Sequence, residues 1–280
     1  MRARYRALAW PYAIWMFLFI VLPALLVLGY SFLVRDPSVD RGVVFSLENY
    51  RLFFDPLYLG VTIRSLRTAV ICTVLCLLIG YPVAYRISRM PRAVRNSVLL
   101  LFILPMWMNM LLRTYAWMTI LGNNGLINQF LASLGLPRLP LLYNNTAILI
   151  GMVYNFLPFM VLPVYTALSR TDPSLLEAAQ DLGADRWTTF CRVTLPLSMP
   201  GVVSGTIMVF MPAVSSFVIP RLLGGNRHAY IGTLLENLFL VTGNWHFGSA
   251  ISILMMLAIL ASLAVMNRFE PDREGGQGLW

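Results

Sequence analysis

The side chains able to ligate a metal or to act as a nucleophile with its base are few: three cysteines and two histidines. Cys72 and Cys76 lie about one helical turn apart, so a helix would place them on one face. Cys191, His228 and His246 are scattered along the chain. Zinc needs four grouped sulfur or nitrogen ligands, a pattern this sequence lacks. We therefore expect no metal site and read Cys72 and Cys76 as small apolar packing residues. Lysine is missing altogether, because all 21 cationic side chains are arginine. Without it there is no P-loop lysine, no Schiff-base lysine and no serine–lysine dyad. A membrane-embedded enzyme would need a cluster of His, Asp and Glu, and two distant histidines supply none. No catalytic residue is expected, which leaves recognition and movement as the chemistry open to this chain.

The elements that must position those functions are membrane spans. The chain is 280 residues long, 58% hydrophobic and 12% charged, with a mean hydropathy of +0.71. That charged fraction is about half the roughly 25% of a soluble domain. A bilayer core takes about 20 mostly apolar residues per helix, and six segments qualify: 11–34, 61–85, 97–121, 145–168, 198–219 and 247–267. The first follows Arg2, Arg4 and Arg6 but outruns the apolar core of a signal peptide, so we expect a retained span. Prolines 82, 105, 158, 163 and 212 fall inside these spans. They read either as kinks for packing or as hinges that open a cavity. Gly201 and Gly205 have the spacing that lets two membrane helices approach closely.

Arginine sorts by loop. The N-terminus, the second-to-third loop, the fourth-to-fifth loop and the tail hold twelve, and the opposite side holds six. The positive-inside rule then predicts that both termini are cytoplasmic. The net charge of +9 is thus largely a topology signal, and nucleic acid is not an expected partner. No Asp or Glu lies well inside a predicted span, which argues against the alternative of an ion-coupled secondary transporter with its mid-membrane carboxylates.

The fourth-to-fifth loop differs from the others. Asp172 suits an N-cap, Pro173 the first helical position, and Gly183 a left-handed C-terminal stop. Between them Leu175, Ala178, Ala179 and Leu182 recur at helical spacing, predicting a helix of two to three turns with one apolar stripe. Asp185 is placed to cap a second short helix through Trp187, Phe190 and Cys191. On periodicity alone the first helix either docks in another protein's groove or lies along the bilayer.

Glu177-Ala178-Ala179, Gly183 after three more residues, and Val193-Thr194-Leu195-Pro196 nine residues later resemble the EAA loop of ABC importer permeases. Leu182, Ala184, Phe190, Pro200 and Gly201 fit the same pattern. The resemblance extends over nearly the whole chain and is strongest to polyamine (spermidine/putrescine) permeases. It is carried by Leu47-Glu48-Asn49-Tyr50, Phe54-Asp55-Pro56-Leu57-Tyr58, Gly80-Tyr81-Pro82, 157–165, Leu223-Gly224-Gly225 and 243–248. It implies an all-α, polytopic membrane helical bundle of six transmembrane helices in the bacterial cytoplasmic (inner) membrane. A cytoplasmic coupling helix lies between helices 4 and 5. Residues 1–60 would form an N-terminal arm, first helix and outer loop, 61–267 the permease domain, and 268–280 a cytoplasmic tail.

The implied coupling residues are Glu177, Ala178, Ala179, Leu182, Gly183 and Ala184. The implied partners are a paralogous six-helix permease, two ATP-binding subunits that hold ATP and Mg, an extracytoplasmic solute-binding protein, and lipid. No cofactor is expected in this chain. Related permeases carry other small organic solutes or metals, so the solute stays open at this point.

A polycation site would offer carboxylates and aromatic faces. Candidates along the pathway are Trp107, Asn109, Arg113, Tyr115, Tyr154, Asn155, Ser216 and Glu236. The aromatic ones also suit interface anchoring or core packing. Many polyamine-type relatives carry an acid just before a Phe-Val-Ile-Pro-like stretch, where this chain has Ser215-Ser216. Glu236 is the carboxylate nearest a span. Arg113, inside the third span, has three open readings: snorkelling to the outer surface, pairing with Glu236, or touching an anionic solute.

Overall fold

The structure is a computed structural model that describes residues 10–35, 42–225, 227 and 229–267. Arg2, Arg4, Arg6, His228 and the 268–280 tail lie outside the described residues. The chain divides into two units.

The first unit runs to Thr62 and includes Leu234–Ala261. It opens with helix α1, Trp10–Ser31, in which no residue before Ser31 is buried. A short antiparallel hairpin follows, β1 (Leu33–Arg35) with β2 (Val43–Phe45), in the register Leu33 opposite Phe45. Helix α2, Glu48–Phe53, closes over it. Asn49 on α2 donates to the Leu33 carbonyl at 2.8 Å, and the hydroxyls of Tyr50 and Ser31 meet at 2.7 Å. Apolar packing is aromatic here: Phe32 stacks on Phe45, and Tyr58 meets Phe247 edge-on at 4.7 Å between ring centres.

The second unit, from Ile63 to Thr233 and again from Ser262, holds most of α3 (Pro56–Ser88), then α4 (Arg92–Trp107), α5 (Met110–Leu121) and α6 (Leu126–Ser133). Next come α7 (Asn145–Ser169), α8 (Pro173–Asp181), α9 (Arg186–Ser215) and α10 (Val218–Leu223). Helices α11 (Ile231–Val241) and α12 (Trp245–Asn267) complete the chain. The core sits on α7, whose Ile148, Met152, Met160, Val161 and Val164 are fully buried. Helix α9 lies against it. A Cβ at Gly205 would stand 2.8 Å from the Met160 sulfur, and one at Gly201 would stand 2.6 Å from both the Ala167 side chain and the Pro163 carbonyl. The paired glycines are what let the two backbones meet. Buried Tyr81 and Ser198 join α3 to α9 through a 2.9 Å hydrogen bond.

Among the described residues, five helices are long and apolar enough to cross a membrane, and a sixth span exists if the bent pair formed by α4 with the segment Met110–Ser133 is counted as one. The uninterrupted third span expected over 97–121 is therefore corrected: a 96° bend divides it. Met108 is extended there, and the Asn109 side chain caps the following helix. The fifth span also ends earlier than expected, at Ser215, with Ser216 extended before α10 begins. The separate short helix expected after Asp185 is instead the first turn of α9. It passes into the span through a π turn, Phe190–Thr194, in which the Leu195 N–H reaches back to the Phe190 carbonyl. Pro196, which follows, has no N–H to give to the ladder.

Candidate functional site

The loop between α7 and α9 builds one compact motif from local rules. The Asp172 carboxylate accepts the Ser174 N–H at 2.9 Å, satisfying a donor that helix α8 cannot use internally. Pro173 occupies the first turn, where its missing N–H costs nothing. At the other end Gly183 has φ +84°. The Ala184 N–H reaches the Ala179 carbonyl at 3.0 Å, and the Gly183 N–H reaches the Gln180 carbonyl at 2.9 Å. Those two bonds make a Schellman stop. Asp185 then caps α9 by accepting the Thr188 N–H at 3.0 Å. Both aspartates are held below the usual carboxylate range, Asp172 by the backbone and hydroxyl of Ser174 and Asp185 by the hydroxyl and backbone of Thr188.

The expected stripe on α8 is present and faces outward. Leu175 and Ala178 are exposed, Ala179 is half-buried, and Leu182 is 89% exposed. Glu177 is also exposed, and Ala184 is half-buried under the stop. Trp187, on the first turn of α9, is 70% exposed and stacks on Phe190. Phe190 in turn packs edge-on against Tyr81 and Tyr85 of α3. Burying one exposed leucine is worth about 1.5–3 kcal/mol, so this face gains from a partner.

The pathway candidates are distributed over both units. Trp107 is 83% exposed at the end of α4, and Asn109 accepts the Leu111 N–H at 2.8 Å as the α5 cap. Arg113 has a buried Nε with no hydrogen-bond partner among the described residues. Tyr115 is half exposed. Tyr154 meets Trp117 edge-on at 5.4 Å, the one contact that brings α5 and α7 aromatics together among those named. Asn155 is 3% exposed. Its amide donates to the Gly151 carbonyl at 2.8 Å, and its buried Oδ1 has no partner among the described residues. Ser216, at the break after α9, has a buried Oγ that likewise has no partner among the described residues. Glu236 is half-buried on α11, in the other unit.

Sequence reading missed a cleft of about 430 Å³ at the base of α8, lined among others by Tyr85, Arg89, Arg95 and Thr194. Its residues come from three distant segments, so no local signal marks it.

Comparison with known proteins gives a family. The model of the binding-protein-dependent transport system inner membrane component matches residues 76–274. The spermidine/putrescine transport system permease protein PotB of Escherichia coli (strain K12) is 41% identical over 256 residues, covering 91% of this chain and 93% of that protein. PotB of Haemophilus influenzae is 43% identical over 261 residues, covering 92% and 91%. A bacterial alginate ABC transporter, solved in complex with its alginate pentasaccharide-bound periplasmic protein, shares the fold with a TM-score of 0.75 at 21% identity. That likeness covers 98% of this chain and 96% of the other. The chain thus belongs to the binding-protein-dependent transport system inner membrane components, as a multi-pass, non-catalytic permease subunit of an ABC importer.

Proposed function

We propose that this subunit imports a polyamine of the spermidine or putrescine class, driven by a separate ATPase that docks on α8. The observation that carries the coupling role is the outward apolar stripe of Leu175, Ala178 and Leu182. A helix this short is marginal in water, yet here it is capped at both ends and presents small and apolar groups outward. That combination suits insertion into a partner's groove. The polyamine reading is supported by the two relatives named for spermidine and putrescine.

In this reading both termini and α8 face the cytoplasm, in keeping with the arginine distribution. A paralogous permease completes the pathway, and a solute-binding protein delivers solute to the outer face. Two ATP-binding subunits hold ATP and Mg, and this chain holds no cofactor. Closure of the ATPases pulls α8 through Glu177, Ala178, Ala179, Leu182, Gly183 and Ala184, and the spans rearrange. Trp107, Asn109, Arg113, Tyr115, Tyr154, Asn155, Ser216 and Glu236 are the side chains proposed to meet solute.

The test is ATP-dependent uptake of radiolabelled spermidine by the assembled transporter in liposomes. Uptake that falls several-fold when Gly183 is changed to Val supports coupling through this loop, whereas full uptake in that variant overturns it. Ser215-Ser216, standing where polyamine-type relatives carry an acid, favours a second reading in which the same machinery carries another small solute. Failure of excess unlabelled putrescine and spermidine to compete with transport would select it.

A further inference from the structure

The cleft at the base of α8 is chemically one-sided. It is lined by Tyr85 from α3, Arg89 from the turn that follows α3, Arg95 from α4, Leu176 from α8 and Thr194 from α9, and none of its lining residues is acidic. Two of those residues carry buried polar atoms without a hydrogen-bond partner among the described residues: Nε of Arg95 and Oγ1 of Thr194. Thr194 as a whole is only 3% exposed. The other serine and threonine hydroxyls of the cleft are already committed. Ser88 donates to the Tyr85 carbonyl and Ser169 to the Tyr165 carbonyl, each at 2.8 Å, and Thr171 donates to the Ala167 carbonyl at 3.4 Å.

A guanidinium Nε can only donate, so what it lacks is an acceptor. Leaving a buried donor unmade is costly, and native structures rarely do so. The Arg89 guanidinium lies over the Tyr85 ring, 4.4 Å from its centre. Stacking uses the face of the guanidinium and leaves its in-plane N–H groups for a ligand. Two guanidinium groups and a free hydroxyl, with no carboxylate among the lining residues, match an anion rich in acceptor oxygens.

We propose that this cleft is a phosphate-binding site held by Arg95, Arg89 and Thr194. A phosphate there bridges α4, α9 and the turn that follows α3 beside the first turn of α8, and so braces the helix assigned to the ATPase. The proposal rests on the reading that the α8 end of the spans is cytoplasmic. The phosphate is then either that of an inner-leaflet lipid headgroup or a free phosphate.

The experiment uses the assembled transporter containing the full chain. One arm titrates inorganic phosphate into transporter held in phosphatidylcholine nanodiscs. The other titrates phosphatidylglycerol into detergent-solubilised transporter and counts retained lipid by native mass spectrometry. At least one probe is expected to bind, with an affinity about tenfold weaker in Arg95→Gln and in Thr194→Val, the size of one charge-assisted hydrogen bond. Binding of phosphatidylglycerol alone assigns a lipid headgroup, binding of inorganic phosphate alone assigns free phosphate, and binding of both supports the shared chemistry. Arg92→Gln removes the same charge from an exposed position outside the cleft and is expected to leave affinity within about twofold. If Arg95→Gln does not assemble, Arg95→Lys, which keeps the charge but loses the Nε donor, is expected to show the same weakening. Absence of binding by both probes, or equal weakening in Arg92→Gln, overturns the proposal. Phosphate binding is read without transport, so phosphate binding here with no spermidine uptake would count against the functional reading and leave the cleft standing.

Discussion

At the residue scale Gly183 is constrained by its backbone alone. Its φ of +84° lies where L-residues are disfavoured, and nothing stands within 4 Å of the place a Cβ would occupy. Any penalty of substitution is therefore backbone strain and not a clash, about 1–2 kcal/mol for a branched residue. We expect Gly183→Val to lower ATP-driven uptake several-fold, and Gly183→Asn, which tolerates this region, to retain most of it. The caps at Asp172 and Asp185 carry a pH signature. Their carboxyls titrate lower in the folded chain than in the unfolded one. Their stabilisation is therefore complete above the unfolded value near about 3.9 and is lost as pH falls through the lower folded value. Hydrogen exchange at the Ser174 and Thr188 amides should rise, relative to neighbouring amides, only below about pH 4. Asp172→Asn, still a good cap, should abolish that pH dependence at Ser174.

At the element scale, helix α8 is legible in the sequence because capping is local. Asp172, Pro173 and Gly183 each announce their position by residue type, and the structure places all three as expected. The break in the third span was not legible, because hydropathy averages over a bend and sees only apolar length. Its local signs are Pro105, which reads as a kink inside the span, and Asn109, an uncommon residue in the middle of an apolar run and here a side-chain cap on Leu111. The π turn at Phe190–Thr194 is equally silent, since nothing in its residue types separates it from an ordinary helical turn. Two element-scale outcomes follow. Leu182→Asp should weaken association with the ATPase about tenfold or more in a pull-down, the order of one buried leucine lost, while leaving the permease folded, because that side chain is 89% exposed. Gly205→Leu should instead damage the fold, since its Cβ would stand 2.8 Å from the Met160 sulfur and 3.3 Å from the Met160 backbone. We expect a loss of about 1–3 kcal/mol, read as a lowered melting temperature in detergent.

At the scale of the whole molecule, the topology inferred from arginine counting can be checked through one engineered thiol. Cys72 and Cys76 are buried and Cys191 is half-buried, so a cysteine at the exposed Leu182 position dominates labelling. Leu182→Cys should react with a membrane-impermeant maleimide in inside-out vesicles and not in intact spheroplasts, and the reverse result would invert the proposed orientation. The composition of the chain was enough to give a multi-span bundle, because a bilayer imposes length and apolarity on every helix that crosses it. The phosphate cleft was beyond sequence reading for the opposite reason: Tyr85, Arg95 and Thr194 are neighbours only after three helices have packed. Helix α9 finally has a mechanical consequence. At about 1.5 Å per residue its 30 residues form a rod about 45 Å long. Gly201 and Gly205, where it grips α7, lie near the midpoint of that rod. With a fulcrum there the two arms are nearly equal, and a tilt of about 5° moves each end by about 2 Å in opposite senses. A pull delivered at Arg186 thus arrives at Ser215, beside the break that carries Ser216, as a push of similar size.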